Sequence, residues 1–328
     1  MSLNDISYLR TPNECFADIT DFPYQVQYLQ HGSLRMAYVD ERSHSEPQET
    51  FLCLHGQPTW SYLFRRMIPV FLNFTTRGST EAVKRRVVAP DFFGFGRSDK
   101  PTQESVYTYS FHRESLLYFI QKLDLRNVTL VVQDWGGLLG LTLPQAEPWR
   151  YKRLIVMNTT VAIGHVPSIG FSDWRAFSNR NPDLQIGGLM GRSTKHLTIA
   201  EREAYDAPYP STRYKAGVRR FPNLVMTQAD MDGVEISKAA LNFYSTTTIF
   251  GPHDIFMACG MKDPVFGPPV MTDLSKKWRD GCLYIIVADA GHFVQEWGDM
   301  IAQRAIACFE SGSAIIGVEL IRPPRERL

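Results

Sequence analysis

The chain has 328 residues, 44% of them hydrophobic and 21% charged, which excludes disordered and fibrous classes and suits a large α/β domain carrying a second unit. Lys and Arg number 35 against 34 Asp and Glu, so no field of one sign attracts nucleic acid or an anionic membrane, and neither is expected as a partner. The five cysteines (Cys15, Cys53, Cys259, Cys282, Cys308) form no CxxC pair or metal-ligand spacing, and MSLNDISYLR lacks a basic segment followed by an apolar run, so free thiols and a cytoplasmic location are expected.

Residues Tyr24 to Val39 alternate polar and apolar on either side of His31-Gly32, which predicts an antiparallel hairpin at the edge of a sheet. Continuous apolar runs follow at Phe51 to Leu54, Val87 to Ala89, Val128 to Val132 and Leu154 to Met157, and again at Ile255 to Cys259 and Leu283 to Ala288. Such runs suit strands buried on both faces, and their wide spacing predicts a parallel sheet. Between Thr160 and Met231 strand runs give way to helix-like pieces at Ser172 to Ser178 and Thr198 to Tyr205, the second opening on a capping box at Thr198 and Glu201. This predicts a core over 1–159 and 232–328 with a helical cap over 160–231. A polar stretch from Asn73 to Arg86 predicts a surface loop, and IRPPRERL a frayed tail.

The segment Val128 to Gly137 runs a buried strand into Asp134 and then into the glycines that open an apolar helix over Leu138 to Leu143. Two readings fit equally: an Asp capping a helix, and a nucleophile elbow, in which a reactive side chain sits on a sharp turn and Gly136 permits close packing. Val132 stands where an elbow usually has a small residue. The rest of the chain favours the elbow. Asp263 follows one late strand and His292 another, in the order nucleophile, acid, histidine and at the carboxyl ends where α/β sheets bind ligands. Asn158 follows a further strand, but an amide cannot stabilise an imidazolium as a carboxylate does, so Asp263 is the better acid. Asp289 is expected only to turn the chain.

His55-Gly-Gln-Pro-Thr-Trp60 follows the strand at Phe51 and offers the loop that completes an oxyanion hole, with the Gln57 and Trp135 N–H groups as donors. His55 is better suited to a structural hydrogen bond than to the base's role. Gly94-Phe-Gly96 lacks a third glycine and a following helix, and HExxH is absent, so neither a dinucleotide nor a metal site is expected.

Taken in order, HGQPTW, DFFGFGRSDKP, VVQDWGG, GMKD and DAGHFVQE, with the phrase AYDAPYPSTRYKAGVRRFP, closely resemble haloalkane dehalogenases, most of all the Xanthobacter-type branch. The likeness runs from about Arg10 to Phe309. It implies an α/β-hydrolase fold with an eight-stranded, mostly parallel sheet flanked by helices and an inserted helical cap. It implies Asp134, Asp263 and His292 as the triad, Trp135 and the cap's Trp174 as the halide-holding indoles, and a small halogenated aliphatic substrate, water and halide ion as partners of a monomer.

Displacement at saturated carbon suits a carboxylate nucleophile, and the departing halide suits an indole N–H, which is a donor only. No cofactor, metal or redox group is required. Leu138, Phe171, Phe221, Pro222, Val225 and Val265 are expected as pocket wall or plain core. Two departures stand out: Gln57 replaces the Glu of that branch and the Asn of others, and Ala162 to Phe171 is short, which implies an altered substrate size range.

Three rivals remain. An epoxide hydrolase would share the triad but protonate its substrate from cap tyrosines, for which Tyr205, Tyr209 and Tyr214 are the candidates. A cofactor-free luciferase-like oxygenase and a noncatalytic binding protein could use the same fold.

Overall fold

The structure is a computed structural model that describes residues 5–75 and 84–323. The polar stretch expected between Asn73 and Arg86 falls largely on 76–83, and the expected tail IRPPRERL largely on 324–328, both outside the described residues; at their described ends Asn73 closes a helix, Arg85 and Arg86 open a strand and Ile321 closes one.

Nine strands form the main sheet, in the order β11-β10-β9-β8-β7-β4-β5-β3-β2. The expected hairpin is β2 (Val26–His31) and β3 (Leu34–Arg42), turning at Gly32, whose φ is 61°. The six apolar runs become β4 (Glu49–Leu54), β5 (Arg85–Pro90), β7 (Val128–Gln133), β8 (Tyr151–Met157), β9 (Ile255–Gly260) and β10 (Cys282–Val287). They pair in parallel, and every residue of β7 and β9 is buried, as a sheet covered on both faces requires.

Sequence reading predicts eight strands; the ninth is β11 (Glu319–Ile321), added antiparallel to β10. Three residues are too few to show a period, and β11 exists because the open edge of β10 supplies its partners. The same reason hides a two-stranded ribbon, β1 (Tyr8–Leu9) with β6 (Lys100–Pro101).

Helices α1 (Ile68–Asn73), α2 (Tyr109–Lys122), α3 (Trp135–Gly140), α8 (Val234–Thr246), α9 (Pro268–Ser275) and α10 (Gly298–Ser311) accompany the sheet. α3 begins directly after Asp134 and ends earlier than the expected Leu138 to Leu143 helix.

Between β8 and α8 lie α4 (Ile169–Arg180), α5 (Ile186–Ser193), α6 (Ile199–Asp206) and α7 (Ala216–Arg220). The capping box at Thr198 and Glu201 forms, with each residue bonding the other's backbone. This stretch meets the loops at the sheet's carboxyl edge. Trp60 Nε1 donates to Ala204 O at 3.1 Å, the Tyr209 hydroxyl donates to Pro58 O, and Phe221 packs against Trp135 with ring centroids 4.7 Å apart. No helix among the described residues is long and apolar enough to cross a membrane.

Candidate active site

Strands β10, β9, β8, β7 and β4 are consecutive parallel neighbours, so their carboxyl ends fall along one edge. The residues just past those ends are His292, Asp263, Asn158, Asp134 and Gln57. Parallel pairing therefore assembles, over more than two hundred residues of sequence, groups that no local pattern brings together.

Asp134 has φ 50° and ψ −123°, a conformation that costs a side-chain-bearing residue about 1–3 kcal/mol. Its carboxylate makes no capping bond to α3. Oδ1 instead accepts the Gln57 N–H at 2.8 Å, which removes the helix-cap reading that the sequence left open. Close packing supports the turn: a Cβ on Gly136 would stand 1.9 Å from Leu54 O, and one on Gly56 would stand 2.4 Å from Asp134 Oδ1. Thr159 Oγ1 donates to Asp134 O at 2.7 Å and ties the elbow to the end of β8.

His292 Nδ1 lies 2.9 Å from Asp263 Oδ2, and its Nε2 lies 3.6 Å from Asp134 Oδ2. Burial alone would lower this imidazole, but Asp263 and Asp134 outweigh it and raise His292 to about 10, so the two carboxylates favour its charged form. Burial pushes Asp263 up, and His292, the Asn158 amide and the Val265 N–H pull it below the ordinary carboxylate range. Asn158, weighed from sequence as a possible site for the acid, instead holds it: Nδ2 donates to Asp263 Oδ2 at 2.7 Å while Oδ1 accepts the Gly260 N–H.

A cavity of about 1020 Å³ opens above Asp134 and His292. Gln57, Trp135, Phe171, Trp174, Pro222, Val225 and Val265 line it, as do Asp134, Asp263 and His292. Leu138 and Phe221 do not line it. Leu138 is buried in α3, its carbonyl accepting the Tyr109 hydroxyl, and Phe221 is covered by Trp135, Phe95 and His112. Both belong to the packing beneath the wall.

Neither the Trp135 nor the Trp174 indole N–H has a protein acceptor among the described residues, whereas those of Trp60 and Trp278 are bonded to Ala204 O and Met257 Sδ. The cavity wall carries no tyrosine among the described residues. Tyr205 bonds Glu296, and Tyr209 bonds Pro58 O.

His55 is buried with both nitrogens engaged. Nε2 accepts the Phe92 N–H, so Nδ1 carries the proton and donates to Gly56 O, and no lone pair remains for base chemistry. Asp289 is exposed and paired with Lys262. Sequence reading missed Gln133, which is fully buried with its amide nitrogen 3.0 Å from His292 Nε2 and 3.1 Å from His292 O. Its place beside Asp134 gave no signal, because an amide closing a buried strand shows no pattern that points to a partner far away in sequence.

A family model described as the α/β-hydrolase fold matches residues 49–299. The chain is 37% identical to a haloalkane dehalogenase of Psychrobacter cryohalolentis, covering 91% of this chain and 96% of that one. It is 40% identical to haloalkane dehalogenase 1 of Mycobacterium bovis, covering 91% and 97%. Among solved structures it resembles the tetrameric haloalkane dehalogenase DpaA from Paraglaciecola agarilytica NO2, with a TM-score of 0.85, 46% identity, and coverage of 92% of this chain and 98% of that chain.

Proposed function

The chain belongs to the haloalkane dehalogenases of the α/β-hydrolase fold, hydrolases acting on halide bonds, and from that premise we propose that Asp134, Asp263 and His292 carry the reaction. The observation that carries this reading is the division of the Asp134 carboxylate. Oδ1 is engaged by the Gln57 N–H, while Oδ2 is turned toward His292 Nε2 across the cavity floor.

In the first step Oδ2 attacks the halogen-bearing carbon, the carbon–oxygen bond forms as the carbon–halogen bond breaks, and halide leaves with the electron pair. Trp135 and Trp174, whose N–H groups lack protein acceptors, would receive the halide; a donor-only group suits an anion with no proton to give. The product is an alkyl ester of Asp134.

Esterification also removes one of the two negative charges that hold His292 protonated, so the imidazole loses its proton to solvent and becomes a base. Water then adds to the ester carbonyl as His292 takes its proton, and Asp263 steadies the imidazolium. The charge developing on Oδ1 falls where the Gln57 N–H already points, with the Trp135 N–H as the second donor. Collapse expels the alcohol, which takes the proton from His292, and leaves Asp134 as a carboxylic acid that passes its proton to His292, restoring the carboxylate and the charged imidazole of the resting site.

Residues 160–231 act as a cap on a core formed by 1–159 and 232–328, and Phe171, Pro222, Val225 and Val265 supply apolar wall to the cavity beneath it. No observation favours an epoxide hydrolase, since a tyrosine acid is missing from the described wall. The assembly stands between the monomer expected from sequence and the tetramer of the Paraglaciecola relative, two states that sedimentation velocity separates.

With 1,2-dibromoethane, the wild type releases bromide over many turnovers, and His292→Gln releases about one equivalent and gains the mass of a bromoethyl group on Asp134. A His292→Gln protein of unaltered mass with no bromide burst would overturn the assignment. The cavity volume sits at the top of the roughly 300–1,000 Å³ range of small-ligand sites, so substrates well beyond two carbons are accommodated. Across 1-bromoalkanes of graded length, kcat/KM should rise beyond the shortest members; a maximum at two carbons would refute this.

A further inference from the structure

We propose that Gln133 is a positioning residue for the second half-reaction, its amide N–H holding neutral His292 in the tautomer whose Nε2 carries the lone pair that base catalysis needs. This rests on the reading of His292 as the base that hydrolyses the Asp134 ester.

Gln133 is the last residue of β7 and is fully buried beside the elbow. Its amide orientation is set by His292 O, which lies 3.1 Å from Nε2 and can only accept. The same nitrogen therefore faces His292 Nε2 at 3.0 Å with its second hydrogen. A donor in that place is satisfied by a lone pair and opposed by an N–H. It favours the tautomer protonated at Nδ1, which is also the one that donates to Asp263 Oδ2. The far end of the side chain agrees with this: among the described residues Gln133 Oε1 is buried with no partner, so the residue's bonding is concentrated at its donor end.

The charged groups facing His292 are Asp134 from the elbow after β7 and Asp263 from the turn after β9. The other surroundings are the rings of Phe266 and Phe293 and the Gln133 amide itself. Two carboxylates favour the imidazolium, and Gln133 is the neutral group that opposes them. Before esterification the carboxylates prevail. Once Asp134 is an ester, one of them is gone, and the Gln133 donor tips the remaining balance toward the neutral base. The incoming water displaces this bond as it presents its own proton.

The test compares wild type with Gln133→Met, matched in length and lacking the donor, by single-turnover measurement of ester hydrolysis against pH. The midpoint at which hydrolysis switches on should rise by about one pH unit in the variant, the size of one lost neutral hydrogen bond. An ester that forms and hydrolyses with an unmoved midpoint overturns the proposal, even where the rate falls at every pH, since that pattern marks a structural role. If the wild type forms no ester, the reading of His292 falls and takes this inference with it. Independently of the Gln133 variant's folding, nitrogen-15 NMR of labelled imidazole in Asp134→Asn, whose amide mimics the uncharged ester, should show neutral His292 protonated at Nδ1 with Nε2 as acceptor. The opposite tautomer overturns the proposal.

Discussion

At Asp134, backbone strain and side-chain chemistry serve one end. A positive φ on a residue with a side chain is retained only where the surroundings over-determine it, and here the glycines at 56 and 136, Thr159 and the Gln57 amide do so. Trp135, next in the chain, is carried by the same turn to the cavity wall, so one short motif holds both the proposed nucleophile and a proposed halide donor. Trp174 is different: it reaches the wall from α4, and its sequence neighbourhood by itself favours a plain core aromatic, which only the family resemblance reverses. Replacing Trp174 by Phe keeps the ring and removes the N–H. Bromide affinity, read from quenching of tryptophan fluorescence, should weaken by about tenfold or more, as for a hydrogen bond to a charged group. An unchanged affinity would remove Trp174 from the halide site. Residue-level reading of the sequence missed Gln133 and weighed Asn158 only as a place for the acid: each is an ordinary amide at a strand end, and only its distance to His292 or Asp263 sets it apart.

At the scale of elements, the departure at Val132 has a structural answer. An elbow usually has a small residue there because β7 packs tightly against α3, and in this chain the space comes from the opposite side. Gly140 lies so close that an added Cβ would stand 2.8 Å from Val132 Cγ1 and 3.0 Å from Leu54 Cδ1. Gly140→Ala should therefore lower the unfolding free energy by roughly 1–3 kcal/mol through overpacking. Adding Val132→Ala should recover much of that loss, and a urea-unfolding double-mutant cycle measures the coupling. Purely additive losses would show that the two side chains do not share the space. The strands and the helix α6 were legible because their signals are local: apolar runs of buried strands, and a capping box within four residues. The strand β11 was not, since its pairing lies in the edge it joins.

Across the whole molecule, the helical stretch between β8 and α8 is held to the sheet's edge by buried charge as well as by apolar contact. Arg65 donates to Glu296 from the loop after His292 and to Glu201 from α6, at 2.7–2.8 Å, and all three are nearly inaccessible. Burial pushes Glu201 up, but Arg65 and Thr198 pull it down to about 2, below its ordinary 4.5. A depressed carboxylate contributes stability that is complete above its unfolded value and is lost as pH falls through about 2. Arg65→Met would leave Glu201 and Glu296 with the more exposed Arg66 as their remaining cation, which should destabilise the fold and move acid unfolding to higher pH. Circular dichroism against pH checks this, and an unmoved acid transition would show that Arg66 alone suffices.

The amino-acid sequence by itself determined the parallel α/β sheet, the inserted helical stretch, and the ordered trio of Asp134, Asp263 and His292, because strand runs, caps and turn residues act over short distances along the chain. Tertiary structure alone decided which end of Asp134 is bonded, that Asn158 bonds Asp263 and Gln133 faces His292, which wall candidates reach the cavity and which, like Leu138 and Phe221, lie beneath it. Those outcomes depend on distances between segments far apart in sequence, and such distances are set only when strands pair and the core closes.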